Sequence, residues 1–224
     1  MKLYTYPVTT NALKVTVLIE YLKPFVDLNI QQELVQIHKR EQQESAFLKV
    51  NPKGQIPVLV DDKRGQRVTE SNAILLYLIN LLEVKRVPEL SGFSQQSDVM
   101  SWLFWQASDS GLTQSGYHFN RILLPAWGVN RTFKPENKQE EKFHHSCQVL
   151  DQHLAKQAYL CGDEVSIADM SVAAPVMYYQ DSQMPILKYP NLMAWINRLE
   201  ACAWWSSTKL SADQFLDEMK AHSH

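Results

Sequence analysis

The sequence contains no run of about 18 consecutive apolar residues, the length that a membrane-spanning helix needs. Its first residues, Met1 to Tyr6, lack the apolar core of a secretory signal peptide. Only three cysteines occur (Cys147, Cys161 and Cys202), and their spacing is not that of a disulfide framework or a metal site. We therefore expect a reduced, cytosolic protein without a membrane segment.

No excess of charge of either sign is present, because 22 basic and 24 acidic residues leave a formal net charge of −2. This balance gives no reason to expect nucleic acid or an acidic membrane surface as a partner. His118, His144 and His145 have no further ligands at a suitable spacing, so we expect no metal site. With 45% hydrophobic residues, the chain is nevertheless able to bury a full core.

The stretch 51–62 predicts a buried strand that begins in an unusual way. Its middle, residues 56–60, is a short apolar run with turn signals on both sides. Pro57 has no N–H for a sheet, which places it at the start of the strand. A cis bond before Pro57 is accessible at modest cost and would turn the backbone of Ile56 outward. The backbone groups of Ile56 are then free to pair with an extended ligand.

A short distance further on, Glu70 and Ser71 open an apolar helix. A helix start favours an anion, because its first N–H groups and its dipole both face outward there. An edge for a peptide backbone beside a pocket for a carboxylate predicts a small peptide ligand.

The order of predicted elements divides the chain into two parts. Residues 1–82 show the pattern β-α-β-α-β-β-α, with a helix over about 12–22 and a second strand around 34–37, which indicates a thioredoxin-like α/β domain. Residues 83–93 are the expected linker. Residues 94–224 predict an all-α domain with helices over about 94–120, 135–156, 166–180, 191–203 and 210–220. Ser166 and Asp169 form a variant capping box.

With these motifs in view, the chain resembles the glutathione-transferase superfamily from end to end. The resemblance rests on the sequence Asn-Pro-Lys-Gly-Gln-Ile-Pro-Val-Leu over 51–59, on Glu-Ser-Asn-Ala-Ile over 70–74, and on the capping box. Within the superfamily the chain looks most like the Nu-type bacterial transferases and their fungal relatives, several of which reduce disulfides with glutathione. That branch reads Thr-Pro-Asn before the first helix, whereas this chain reads Thr9-Thr10-Asn11. The resemblance implies a homodimer.

The same resemblance implies a binding site for glutathione as co-substrate. Ser71, with the first N–H groups of its helix, would hold the γ-glutamyl carboxylate, and Glu70 would lie near the amine. The backbone of Ile56 would pair with the cysteinyl unit. Gln55 and Gln42 would meet the glycyl carboxylate. Ser71 read in isolation is an N-cap, a role compatible with binding.

The thiol of glutathione needs a group that stabilises its anion. The resemblance implies that Thr9 and Asn11 do so, at the N-terminus of the first helix. In isolation this loop would simply cap that helix, with Thr10 or Asn11 as the N-cap. The rival is a tyrosine, which some branches use: Tyr6 is the first candidate and Tyr4 the second. The loop contains no cysteine, so redox chemistry here would depend on the thiol of glutathione itself.

Three functions remain open at this point. The first is transfer of glutathione to a small hydrophobic electrophile. The second is glutathione-dependent reduction of a disulfide or a peroxide at the same site. The third is a non-catalytic binding or scaffold protein, against which the intact motifs at residues 56–57 and 70–71 argue.

Overall fold

The first half of the protein is built around a four-stranded mixed sheet. The computed structural model describes residues 1–84 and 97–221. Strand β1 (Lys2–Thr5) lies parallel to β2 (Gln31–Leu34) and antiparallel to β3 (Val58–Asp61), which pairs antiparallel with β4 (Gln66–Val68). The helices of this half are α1 (Thr10–Leu22), α2 (Ser45–Val50) and α3 (Ser71–Val84). The predicted thioredoxin-like order of elements is confirmed. Nearly all of the expected linker over 83–93 lies outside the described residues.

Strand β2 ends where the sequence predicted it to begin. The prediction of a strand around 34–37 followed the apolar residues there, but β2 is a sheet edge whose polar side chains are mostly exposed. Val35 follows the last residue of β2, still donates its N–H to the Thr5 carbonyl of β1, and packs into a small core with Phe47 and Val58. The apolar pattern therefore marked this packing and missed the strand.

Helix α1 is buried between the sheet and the helical half. It packs against α3 and also against two helices of the second half, α8 (Ile167–Ala173) and α10 (Ala203–Ala221). This explains why its sequence is apolar nearly all round. One of its buried residues is the charged Lys14.

The second half is helical, as predicted. Its further helices are α4 (Ser97–Ser108), α5 (Gly111–Gln114), α6 (Leu124–Ala126), α7 (Asn137–Leu154) and α9 (Pro190–Glu200). In the part of the chain that the structure describes, no helix has the length and apolar character needed to cross a membrane.

The single helix predicted over 94–120 is wrong. Helix α4 stops at Ser108, and the chain then passes so close to α7 at Gly111 that a Cβ there would collide with the backbone of Lys142. Gly116 next adopts a φ of +77°, which ends α5. The chain then brings His118 to the carbonyl of Val8, just before the start of α1.

The predicted capping box at the start of α8 is confirmed. The Ser166 hydroxyl accepts the N–H of Ala168, and the Asp169 carboxylate accepts the N–H of Ser166. Asp169 is fully buried and also accepts from the Leu160 N–H and from Nε1 of Trp195, both at 2.9 Å. It therefore joins α8, α9 and the preceding loop. The helix ends earlier than the predicted 180, because a 3-10 turn with Pro175 follows Ala173.

Candidate functional site

A cleft of about 530 Å³ lies where the N-termini of α1 and α3 meet α4. Asn11 comes from α1, Glu70 and Ser71 from the start of α3. Helix α4 closes the cleft with apolar side chains, including Met100, Leu103 and Phe104. Three of the residues that sequence reasoning selected are thus brought together, although two of them are far from the third in the chain.

Ser71 is the first residue of α3. The first helical bond runs from the N–H of Ile74 to the carbonyl of Glu70, so Glu70 holds the N-cap position and Ser71 does not. The reading of Ser71 as an N-cap is therefore wrong. Its buried hydroxyl lies 3.5 Å from Nζ of Lys14 and donates to Oδ1 of Asn11 at 3.5 Å.

Glu70 forms an ion pair with Lys53, at 2.6 Å between Oε1 and Nζ. Both side chains are more than half exposed, so the pair contributes at most about 1 kcal/mol and is readily rearranged. The pair connects the loop before β3 to the start of α3. Glu70 therefore lies at the rim of the cleft, with its carboxylate available to a cationic ligand group at little cost.

The loop before β3 is held by the buried side chain of Asn51. Its Nδ2 donates to the carbonyl of Gln55 at 2.7 Å, and its Oδ1 accepts the N–H of Lys53 at 3.1 Å. The Ile56–Pro57 peptide is cis. Within the described residues no group hydrogen-bonds to the backbone N–H or C=O of Ile56. These two groups have the free state that the sequence predicted.

Gln55 and Gln42 lie outside the 530 Å³ cleft. The Gln55 side chain is exposed on the loop before β3. Gln42 belongs to a 3-10 turn beside Gly54, and its Oε1 is buried with no partner among the described residues. The neighbouring Gln43 reaches the Gly54 carbonyl at 3.4 Å. Both glutamines therefore border the same loop as Ile56.

Thr9 occupies the N-cap position of α1. Its hydroxyl donates to the carbonyl of Tyr6 at 3.1 Å and makes no capping bond to the helix. The sequence interpretation that Thr10 or Asn11 caps this helix is wrong, since α1 already begins at Thr10. The first N–H groups of α1 have no side-chain cap in the described structure, and Asn11 is exposed beside them.

Tyr6 is buried between the two halves. Its hydroxyl accepts from Nε1 of Trp127 at 2.9 Å and lies 3.3 Å from Nδ1 of His38. Its ring packs edge-on against Phe215 of α10. Burial raises the pKa of the Tyr6 phenol above its ordinary value, and the hydrogen bond from Trp127 opposes that shift only in part. Tyr4, the weaker tyrosine candidate, packs edge-on against Phe47.

His118 anchors the loop that leads into α1. Its Nε2 lies 2.7 Å from the carbonyl of Val8, directly before Thr9. Burial lowers the pKa of His118 to about 4, so the ring is neutral near pH 7 and Nε2–H donates to Val8. Sequence reasoning considered His118 as a metal ligand without partners, and the structure shows that it holds the loop before α1.

Lys14 is the site residue that sequence reasoning missed. It lines the cleft, is almost fully buried, and donates from Nζ to Oε1 of Gln106 at 2.5 Å. Burial lowers its pKa to about 7, and the negative charge of Glu70 partly offsets this. A signal was present in the sequence, because Lys14 is the one charged residue in the mainly apolar stretch 12–19 of a helix already predicted to be buried.

The protein's own thiols are poorly suited to nucleophilic chemistry. All three cysteines are free. Burial raises the pKa of Cys147 to about 12 and that of Cys161 to about 11, and a thiol is reactive only as its anion. The described ranges 1–84 and 97–221 contain no group of three or more side chains able to hold a metal ion.

Two family models match this chain. The glutathione S-transferase N-terminal domain matches residues 1–80, and the glutathione S-transferase C-terminal domain matches residues 122–202. Together they span more than half of the chain.

The sequence is also similar to individual proteins of this family. The chain is 31% identical to the disulfide-bond oxidoreductase YghU of Escherichia coli over 73% of its own length, but it spans only 56% of that relative. It is 28% identical to the glutathione S-transferase GstB of the same organism, over 85% of this chain and 88% of the relative.

Solved structures share the fold. A YghU from Streptococcus pneumoniae complexed with glutathione superposes with a TM-score of 0.74 and 25% identity, over 92% of this chain and 81% of that one. A glutathione transferase from Phanerochaete chrysosporium gives a TM-score of 0.79 at 24% identity, over 97% and 96% of the two chains.

Proposed function

Since this chain belongs to the glutathione S-transferase family, we propose that it binds glutathione at the cleft of Ser71 and activates its thiol for attack on small electrophiles. One observation carries the proposal. Ser71, Glu70 and Asn11 meet at one cleft, and the ion pair of Glu70 with Lys53 joins that cleft to the loop of Ile56. These groups offer a partner to each part of a γ-linked tripeptide.

Each polar group of glutathione has a matching group in the protein. The γ-glutamyl carboxylate is held by the Ser71 hydroxyl and the first N–H groups of α3. The amine lies near the Glu70 carboxylate. The cysteinyl backbone pairs with Ile56, whose N–H and C=O lack a partner in the described structure. The glycyl carboxylate is received by the amides of Gln42 and Gln55.

The thiol is ionised at the start of α1. A free thiol has a pKa of about 8.5, and lowering it by about two units takes about 2.7 kcal/mol. One or two hydrogen bonds to the thiolate, each worth about 1.5–3 kcal/mol, supply this amount. The donors are the Asn11 amide nitrogen, beside the uncapped N–H groups of α1, and the Thr9 hydroxyl, whose proton turns from the Tyr6 carbonyl to the thiolate. In transfer, the thiolate forms a bond to an electrophilic carbon and a leaving group such as chloride departs.

Disulfide reduction at the same site is the second candidate, and the similarity to YghU favours it. The bound thiolate attacks one sulfur of a disulfide, forming a mixed disulfide and releasing the other half as a thiolate. A second glutathione then displaces the remaining thiol and leaves as oxidised glutathione. No protein cysteine takes part in these steps.

We also propose that the protein is a homodimer in the cytosol. Phe104 on α4 is 67% exposed at the edge of the cleft, where a second copy would cover it. The cytosolic location is inferred from the small number and the scattered spacing of the cysteines. Sedimentation of the protein, with Phe104→Glu as the dissociating variant, tests the dimer.

Retention on immobilised glutathione, followed by elution with free glutathione, tests binding. Rates with a chloronitrobenzene and with hydroxyethyl disulfide then rank transfer against reduction. The proposal predicts retention and turnover of at least one of these substrates. A protein that fails to bind glutathione at millimolar concentration would be a scaffold, and the proposal would be wrong.

A further inference from the structure

Lys14 has no role in the account so far, although its ammonium group is built into the wall of the cleft. Its Nζ lies 2.5 Å from Oε1 of Gln106 and 3.5 Å from the Ser71 hydroxyl. A charged side chain is rarely buried unless ion pairs or hydrogen bonds offset its loss of hydration. Within the described residues its partners at hydrogen-bond distance are the neutral Gln106 and Ser71, so no anion lies directly beside the amine of Lys14.

Hydrogen bonds around Lys14 fix the orientation of its side chain. The Oε1 of Gln106 also accepts from Nδ2 of Asn72 at 3.3 Å, while the Gln106 amide nitrogen donates to Thr113. The Ser171 hydroxyl donates to Oδ1 of Asn72 at 2.6 Å and so holds the Asn72 amide in this orientation. This arrangement holds the Gln106 oxygen toward Lys14. An ammonium has three protons. One goes to Gln106 and one to Ser71, which leaves one for a ligand in the cleft.

We propose that Lys14 is a positioning residue that supplies the positive charge for the γ-glutamyl carboxylate of glutathione and takes up a proton when that carboxylate binds. This inference rests on the proposed function. The carboxylate that Ser71 receives also lies within reach of the Lys14 ammonium, which orients the Ser71 hydroxyl. The ligand therefore supplies the anion that this buried site lacks.

The charges around Lys14 are compatible with this coupling. Of the titratable groups on the elements packed against α1, Glu70 before α3 is the one whose charge acts on Lys14. Asp169 on α8 is bound by Trp195, and Lys209 and Asp213 on α10 pair with each other. In the unliganded protein burial holds the pKa of Lys14 at about 7. A carboxylate beside the amine raises it, which requires proton uptake near and above pH 7.

Calorimetric titration with S-methylglutathione tests the inference, because this ligand has no titrating thiol. Heats measured in buffers of different ionisation enthalpy give the number of protons taken up. We expect uptake of a substantial fraction of a proton by the wild type at pH 8, and a Kd that rises about fivefold from pH 7 to pH 8. Binding without proton uptake would overturn the inference while leaving the proposed function intact.

The variant Lys14→Met keeps the volume and removes the amine. Gln106 retains its bonds with Asn72 and Thr113, so the substitution should cost the fold little stability. We expect Lys14→Met to bind S-methylglutathione about tenfold more weakly at pH 7, with less than a twofold change between pH 7 and pH 8. The exposed Lys23→Met, just beyond the end of α1, is the matched control and retains the wild-type pH profile. If Lys14→Met keeps the wild-type profile, the inference is wrong; if no variant or wild type binds at all, the proposed function itself is wrong.

Discussion

The hydroxyl of Ser71 donates to the amide oxygen of Asn11 at 3.5 Å, although 60 residues separate the two in the chain. This contact joins the start of α3 to the start of α1. In the proposed complex the first of these holds the γ-glutamyl carboxylate and the second stabilises the thiolate. Binding and activation of glutathione therefore share one short network.

Asn11→Ala and Thr9→Ala test the assignment of the thiol. Each removes a donor to the thiolate, so we expect kcat/KM near pH 6.5 to fall about 10- to 100-fold. Tyr6→Phe is the contrasting variant. Its hydroxyl accepts from Trp127, so its loss costs about 1 kcal/mol of stability and little activity. If Tyr6→Phe alone abolishes turnover, the assignment to the loop at residues 9–11 is wrong.

Ser71→Ala tests the carboxylate site. In the proposed complex the Ser71 hydroxyl turns its single proton from Oδ1 of Asn11 to the ligand carboxylate, so its removal should weaken glutathione binding about tenfold with a smaller change in kcat. The exposed Ser101→Ala on α4 is the control, and it should bind as the wild type does. An unchanged affinity of Ser71→Ala, measured by intrinsic fluorescence, would remove this residue from the site.

His118 predicts a particular dependence of stability on pH. The folded pKa of about 4 lies below the ordinary value of 6.5, so the unfolded chain takes up a proton first as the pH falls. The stability due to the neutral ring is thus complete above pH 6.5 and is lost as the pH falls toward 4.

The variant His118→Gln removes this titration while keeping a donor for the Val8 carbonyl. Between the two pH values the wild type should lose about 3 kcal/mol more of its unfolding free energy than the variant. Urea unfolding at several pH values makes the comparison. If the free energies of unfolding of the two proteins change with pH in the same way, the account of His118 is contradicted.

Asp169→Asn is expected to be severely destabilising. The buried carboxylate accepts from Leu160, Ser166 and Trp195, and an amide would turn an NH₂ group toward one of these donors. We expect a loss of about 3 kcal/mol or more in the free energy of unfolding. The exposed Asp163→Asn nearby should change stability by less than about 0.5 kcal/mol. Equal stability of the two variants in urea would show that the Asp169 network contributes little.

Local sequence signals predicted those parts of the fold and of the site that depend on adjacent residues. Pro57 marked the start of β3, and Ser166 with Asp169 marked a helix start, because turns and caps are formed by adjacent residues. Contacts between distant segments were not accessible in this way. Lys14 becomes a site residue only because folding brings its amine next to Gln106 and Ser71, which are distant in the sequence.

The missed features of the fold have the same origin. The end of α4 at Ser108 depends on how closely Gly111 approaches α7, and a helical pattern does not report such an approach. The position of β2 depends on its being a sheet edge, which frees it from the need for apolar residues. In both cases tertiary packing overrode the local pattern.

The ionisation of bound glutathione is the central claim, and ultraviolet difference spectroscopy of the thiolate measures it most directly. The protein is saturated with glutathione, and the thiolate absorbance is followed as the pH is raised. The account predicts a midpoint about two units below the value of about 8.5 for a free thiol, and a return toward that value in Asn11→Ala. A midpoint equal to that of free glutathione, in a protein that binds it saturably, would contradict the account.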